Sequence, residues 1–383
     1  MAKGKSSEDA AFLVESSLNI LNSTMKESLD PEYMESGNIG LDLALTNGRG
    51  IPIGSSVLLW ADPGCGKSTV LGDMSRRLLE SHKKAGVPFK VLYLATEGSR
   101  QLMYDIGLRP YFESKDFIYI ERTLCWRNVE QFYNAILSGD NEILKDVKLV
   151  IIDSVNNVQS DANMGKSVAD GDFGSKAKER TNFYSKYFAM CKERGITTFL
   201  IAQVRQNLEA GQMAIDKRKA AASWSDKHSV DIILKCSAVL SSADTKKVER
   251  VTAYGKTTEL AGYVFKMNSN GSGCKNRFYK GSPAEIYIEM GKGADNAYAM
   301  RKLLEFNKIL KVGGGWYSFS EDVAKPLGIS SKNMRKEEAM DTIREHMGDF
   351  VTLLKEMGRY NLIPEGDLNS KVVEGADGED TDE

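Results

Sequence analysis

The sequence predicts an α/β fold: a mostly parallel, twisted sheet between helices, with an N-terminal helix ahead of it and a small α/β C-terminal domain behind. Three stretches carry that prediction. Residues 57–60 (VLLW) are an apolar run that breaks into ADPGCGKST. Residues 90–95 (KVLYLA) lead straight into Thr96 and Glu97. Residues 148–155 (KLVIIDSV) set four apolar residues ahead of Asp153. Strands buried on both faces read as continuous apolar runs, and helical spacing between such runs supplies the crossovers of a parallel sheet.

Length and composition bound the rest. A chain of 383 residues suits one large core with appendages. Its 42% hydrophobic and 27% charged content is that of an ordinary soluble globular protein. No run approaches a membrane span, and the opening MAKGKSSEDAAF lacks a secretion signal's apolar centre, so a cytoplasmic chain without membrane contact is expected. Cys65, Cys125, Cys191, Cys236 and Cys274 are scattered, odd in number and never in C-x-x-C. They imply a reducing compartment, with neither a metal site nor a disulfide framework. Cys65, inside the glycine turn, is the one expected to be open to chemistry. The net charge of −2 does not itself suggest nucleic acid, but the terminal EGADGEDTDE is acidic and leaves the body mildly basic.

Residues 8–28 show apolar positions near helical spacing, which predicts a leading helix packing on its own domain or on a neighbouring copy. A glycine-punctuated stretch, 33–54, holds a short helix around 41–45 and leads into the first strand. Asp62, Pro63, Gly64, Cys65 and Gly66 then break regular structure, and Lys67, Ser68 and Thr69 open a helix. This is the strand–turn–helix context of a phosphate loop, with Ala61 where the pattern G-x-x-x-x-G-K-[ST] begins. Glycine lets backbone N–H groups turn inward on phosphate oxygens, and the helix start adds its positive dipole end. Lys67 is placed to reach the β- and γ-phosphates of ATP, and the Ser68 hydroxyl to ligate Mg²⁺.

The helix after it runs to Gly86. In parallel sheets ligands sit at the carboxyl ends of strands, so Glu97 falls beside the phosphates, where a carboxylate can orient the attacking water. A strand at 117–120 and a helix at 128–137 precede the 148–155 run, whose Asp153 is placed to hold Mg²⁺ through water. Residues 156–174 are polar and glycine-containing. A helix at 176–194 leads to a strand at 197–202 ending in Gln203, a residue able to sense the γ-phosphate. A second polar, partly basic stretch covers 205–222. Long loops of this kind inside a compact core tend to be functional. Basic residues with interspersed apolar side chains suit single-stranded nucleic acid, although DKRK can equally be a solvated charge run.

Further strands are expected at 230–234, 239–240, 249–254 (an edge), 261–267, 274–278 and 284–290. Lys275 and Arg277, two apart in a strand, share a face and can approach one anion. From 297 the pattern turns helical around GGGWYSF, and beyond Pro364 the acidic composition predicts disorder.

Together these segments resemble the RecA family of recombinases over residues 35–360. SGNIGLDLAL and IPIG look like the family's approach to its nucleotide site, and ATEGSR like the segment holding its catalytic glutamate, here Glu97. Tyr104 matches the aromatic that stacks on adenine. LVIIDSV, LIAQVRQN and CKNRF look like the family's Asp153, Gln203 and Lys275/Arg277 elements, and GGGWYSF is similar to a C-terminal segment of RecA and the phage UvsX type.

The resemblance implies a RecA-like P-loop NTPase core (35–296) with an N-terminal oligomerisation arm (1–34), a small C-terminal domain (297–363) and a disordered acidic tail (364–383). It implies a DNA-dependent ATPase that polymerises on single-stranded DNA as a homo-oligomeric helical filament, pairs it with double-stranded DNA and promotes strand exchange. ATP would lie between subunits, with Lys275 and Arg277 reaching it from the neighbour. Loader or single-strand-binding proteins are expected partners, in a bacterial cell or, for a phage-encoded chain, the infected host. Stretches 156–174 and 205–222 fall where the family places its DNA-binding loops. Met164, Lys166, Arg205, Met213, Lys217, Arg218 and Lys219 are the contact candidates, with Ala221 and Ala222 where bacterial RecA has a glycine pair. The tail is either a restraint on DNA binding or a solubility device. The rivals are a RadA-like translocating ring and a nucleotide-binding assembly protein with little hydrolysis.

Overall fold

The structure, a computed structural model, describes residues 31–98, 100–164, 173–206, 218–220, 228–252, 255–271, 273–279 and 281–361. The expected helix at 8–28, most of the arm and the acidic tail fall outside them. The chain divides into two units, Met1–Tyr33 and Met34–Glu383, and all but the first three of the described residues belong to the second.

Its centre is a twelve-stranded sheet. The strands are β1 (Ser56–Ala61), β2 (Lys90–Ala95), β3 (Phe117–Glu121), β4 (Val147–Asp153), β5 (Thr197–Gln206), β6 (Arg218–Ala220), β7 (Ile232–Val239), β8 (Lys246–Thr252), β9 (Gly255–Asn268), β10 (Lys275–Asn276), β11 (Ala284–Glu289) and β12 (Gly293–Asp295). Their order is β12-β11-β9-β7-β1-β5-β4-β2-β3, with β6, β8 and β10 paired off this path. From β7 to β3 every neighbour is parallel, and from β7 to β12 every neighbour is antiparallel.

The apolar runs work because both faces are covered. Val57, Leu59, Val91, Tyr93, Leu149, Ile151, Phe199 and Ile201 face one core, and Leu58, Trp60, Leu92, Leu94, Val150, Ile152, Leu200 and Ala202 face the other. The first core is closed by α2 (Lys67–Ala85), through Val70, Leu71, Met74 and Leu78, and by α1 (Ile39–Thr46). The second is closed by α3 (Trp126–Ser138) and α4 (Phe173–Glu193), whose Trp126, Tyr133, Phe183 and Tyr187 interlock as an aromatic layer. Each such side chain contributes about 1.5–3 kcal/mol by leaving water.

Several boundaries differ from expectation, each for a tertiary reason. The predicted strands 230–234 and 239–240 are one strand, β7, because β9 supplies its antiparallel partner across the polar positions Lys235 and Ser237. The edge segment is the hairpin β8–β9, and β9 is longer than the predicted 261–267, running from Gly255 to Asn268. The strand expected at 274–278 shrinks to β10. β5 continues past Gln203 to Gln206, and β6 pairs with that extension, so the roots of the second stretch form a hairpin stem. α4 starts at Phe173, inside the first stretch, and Asp161–Asn163 makes a 3₁₀ turn there.

Residues 297–361 pack directly on the sheet. Helix α5 (Asn296–Phe306) and the strands Leu310–Gly313 and Trp316–Phe319 place Leu303, Leu310 and Phe319 in the same apolar cluster as β1 and α2. Gly314 and Gly315 turn that hairpin with φ of 58° and 81°, the doubly left-handed turn that glycine accommodates.

Candidate nucleotide site

The order of the parallel strands sets four carboxyl ends side by side: β1, β5, β4 and β2. Ala61 is level with Gln203, and Asp153 with Ile201 and Ala95. Each predicted side chain therefore leaves the sheet along one edge, where ligands of open α/β sheets bind.

The phosphate loop is built on two left-handed glycines, Gly64 (φ 70°) and Gly66 (φ 108°). Gly66 is needed twice over, because a Cβ there would meet Tyr263 Oη at 2.5 Å and Ile288 Cδ1 at 2.6 Å. Ala61 is the last residue of β1 and is 1% exposed, so the position asks for extended backbone that alanine adopts freely. Lys67, 7% exposed, donates from Nζ to the carbonyls of Ala61 (3.0 Å) and Asp62 (2.9 Å), which folds it into the loop it serves. Pro63 and Gly64 are exposed at the mouth, and Thr69 is half-buried behind them.

Cys65 corrects an expectation. It is 4% exposed, burial pushes its thiol above the ordinary range, and Tyr263 Oη donates to its carbonyl at 3.1 Å. The loop's inner wall is closed by Tyr263 of β9 and Ile288 of β11, about two hundred residues or more away in sequence. The thiol is packed.

Ser68 Oγ donates to Asp153 Oδ2 at 2.6 Å, and Tyr93 Oη donates to the same oxygen at 2.7 Å. Asp153 is 3% exposed, and burial holds its carboxyl above the usual range against those two hydrogen bonds. A hydroxyl and a carboxylate in contact, both hard oxygen donors, fit Mg²⁺ that keeps several of its waters.

Glu97 lies at the end of β2 and receives three donors on one oxygen. Ser154 Oγ reaches Oε1 at 2.7 Å, Asn157 Nδ2 at 2.9 Å and Gln203 Nε2 at 2.6 Å. The predicted water-orienting and phosphate-sensing residues are thus in direct contact. Gln203 N donates to Asn156 Oδ1 at 2.9 Å, and Lys176 Nζ, in the first turns of α4, donates to the Asn156 carbonyl.

Tyr104 sits on the short helix Arg100–Asp105, its ring edge-on to Phe112 at 4.9 Å with the Arg109 guanidinium 5.9 Å above it. That helix packs through Met103 against α2 at Gly72.

Lys275 and Arg277 do converge, but at the other end of β1. Lys275 is level with Ile233, which is level with Leu58. Both cations hydrogen-bond the His228 carbonyl, Lys275 at 3.0 Å and Arg277 at 2.8 Å. Lys275 also reaches the Val230 carbonyl, and Arg277 pairs with Asp231 at 3.0 Å. Asp231 accepts in turn from Ser56 N and Oγ, at the start of β1.

Of the nucleic-acid candidates, Met164 follows the 3₁₀ turn and is 49% exposed. Arg205, Arg218 and Lys219 lie on the β5–β6 stem, with Arg205 opposite Lys219. Lys166, Met213 and Lys217 lie outside the described residues. Sequence reasoning missed Tyr93, Ser154, Asn156, Asn157 and Tyr263. The hydroxyl of a tyrosine inside an apolar strand was the available signal for Tyr93 and Tyr263, and the polar run directly after Asp153 for the others.

A family model described as an AAA domain matches residues 47–208, which hold Lys67, Glu97, Asp153 and Gln203 but stop short of Lys275. The DNA repair protein RadA of Mycobacterium tuberculosis, in two strains, is 29% identical over 193 residues, 49% of this chain and 32% of the relative. The DNA repair protein RadA of Halalkalibacterium halodurans is 26% identical over 245 residues, 63% of this chain and 44% of the relative. The chain thus spans less than half the length of these curated relatives. The mostly parallel sheet between helices is the expected RecA-like P-loop α/β core, and together with these likenesses it supports a RecA-like P-loop ATPase.

Proposed function

We propose that this chain is a DNA-dependent ATPase that assembles on single-stranded DNA as a filament and promotes homologous pairing and strand exchange. The observation that carries the ATPase reading is the row of adjacent strand ends bearing Ala61 and the loop, Gln203, Asp153 and Glu97. Loop N–H groups and Lys67 would bind the triphosphate. Ser68 and Asp153 would hold Mg²⁺, which supplies charge neutralisation on the phosphates when bound. Glu97 would orient a water whose oxygen bonds the γ-phosphorus as the bridge to the β-phosphate breaks, giving ADP and inorganic phosphate.

Placement of Lys275 and Arg277 supports service to another copy. They stand two strands from β1, about 10 Å across, and level with its early residues, about 10 Å back from the loop. Their own nucleotide is out of reach from there, which leaves a neighbour's as the one they would serve. ATP would then favour the assembled state, since it would bind that state more tightly. A second reading is a RadA-like ring that translocates on DNA, in keeping with the likeness to DNA repair proteins named RadA but no better supported by it.

The test is ATP turnover with and without single-stranded DNA. DNA should raise the rate many-fold. Turnover that is negligible, or indifferent to DNA, overturns the reading. Electron micrographs with ATP and DNA separate filaments from rings.

A further inference from the structure

A glycine that close packing demands also loosens the loop that carries it. Gly66 has no room for a Cβ and holds φ at 108°. Without a side chain, such a residue takes either sign of φ about as readily. Rotation about φ of Gly66 and ψ of Cys65 together flips the peptide plane between them. In a planar trans peptide the Cys65 carbonyl and the Gly66 N–H point in opposite directions. A flipped plane would therefore present an oxygen to an anion in place of a donor.

The plane is held from outside the loop. Tyr263 Oη donates to the Cys65 carbonyl at 3.1 Å. Tyr263 is 4% exposed and stands in β9 level with Ile288 of β11, and both side chains lie against Gly66. Burial pushes its hydroxyl up to about 12, so it remains a donor at neutral pH. With the carbonyl drawn toward the sheet, the Gly66 N–H faces the other way. No backbone carbonyl among the described residues accepts from that N–H, and a main-chain donor left over in a glycine turn is what an anion nest offers.

We infer that Tyr263 is a positioning residue of the phosphate loop, its hydroxyl pinning the Cys65–Gly66 peptide so that the Gly66 N–H is turned to the phosphates. The inference rests on the ATPase reading above and adds a residue from beyond the span 47–208 that the family model matches. The antiparallel half of the sheet thereby takes part in nucleotide binding. Because the pin acts on the loop before and after the nucleotide arrives, its loss weakens binding and leaves the chemical step alone.

The experiment is calorimetric titration of the full chain with ADP, together with steady-state ATP turnover, for wild type, Tyr263→Phe and Tyr287→Phe. Circular dichroism melts confirm folding. Tyr263→Phe removes one oxygen and keeps the packing of the ring. Its Kd for ADP and KM for ATP should both rise about three- to tenfold, the worth of one hydrogen bond, with kcat within about twofold of wild type. Tyr287→Phe removes a hydroxyl from the next strand on the opposite face, where the ring stacks on Tyr298, and should bind ADP as wild type does. The inference is overturned if Tyr263→Phe binds ADP like wild type, if its kcat falls while Kd holds, or if both variants weaken binding alike. In each of those cases wild type still binds and hydrolyses nucleotide, and the ATPase reading stands. If wild type binds no nucleotide, that reading falls and takes the inference with it.

Discussion

The two ends of β1 are built differently. At its carboxyl end Lys67 and Asp153 are almost fully buried, and the chemistry-bearing residues are fixed by the hydrogen-bonded register of four neighbouring strands. At its amino end Lys275 belongs to a strand of two residues and Arg277 follows it, its side chain 52% exposed and resting on the His228 carbonyl and Asp231. One end is preorganised, which removes reorganisation cost at the moment of reaction. The other holds its cations on weak, replaceable partners, as the proposed service to a neighbouring copy would require. Surface pairs of that kind contribute about 0–1 kcal/mol.

Substitutions at each end sharpen the contrast. Lys67→Ala should cost roughly 10²–10³-fold or more in turnover and weaken nucleotide binding at any protein concentration. The double variant Lys275→Ala/Arg277→Ala should lose roughly 10³-fold in turnover when assembled, yet bind nucleotide as dilute single chains within about twofold of wild type. Fluorescent-nucleotide titration at low protein concentration is the check. Equal loss in both variants would break the distinction between the ends.

A carboxylate outside both ends gives an intermediate effect. Asp42, on α1, is 4% exposed, and burial pushes its carboxyl up to about 7 against two opposing hydrogen bonds from Ser36. Between its ordinary value and about 7 the folded chain binds the proton and the unfolded chain does not, so stability falls as pH rises through that window. Asp42→Asn keeps an oxygen for Ser36 N and removes the ionisation. It should stabilise the chain by roughly 1–3 kcal/mol at pH 8 and hardly at all at pH 4. Melts at the two pH values decide it, and turnover per folded molecule should be unaffected.

The smallest effect is expected at Asp231→Asn. The amide oxygen can still serve Ser56, but Arg277 loses its charged partner. The protein concentration needed for assembly should fall by up to about fivefold. A rise would mean that Asp231 positions Arg277 for its task.

Most of the preorganised end was legible in the sequence, because its signals are local. The apolar runs ending in Asp153, Glu97 and Gln203, and the glycine break before Lys67, each declare strand, turn and side chain within a dozen residues. What escaped was whatever depends on distant strands meeting. Cys65 looks open in the sequence and is packed into the apolar core with its carbonyl held by Tyr263, and Asp153 is tuned by a tyrosine that reads as one more apolar strand residue. The helices Arg100–Asp105 and Arg109–Glu113 are too short to show a period. Lys235, a charge inside β7, reads as a strand break, yet its ammonium lies 5.2 Å over the ring of Trp60.

The separation of the two ends along β1 has an arithmetical consequence. On the proposed reading, a molecule that offers cations at one end and a nucleotide at the other can pair reciprocally about a two-fold axis, with both sites complete, or join its copies head to tail. An open row of n copies then holds n − 1 complete sites, and a closed circle holds n. Turnover per chain should climb with row length and level off in the first case, and appear at a fixed subunit number in the second. Counting active sites against assembly size therefore reports the polymer's topology without an image of it.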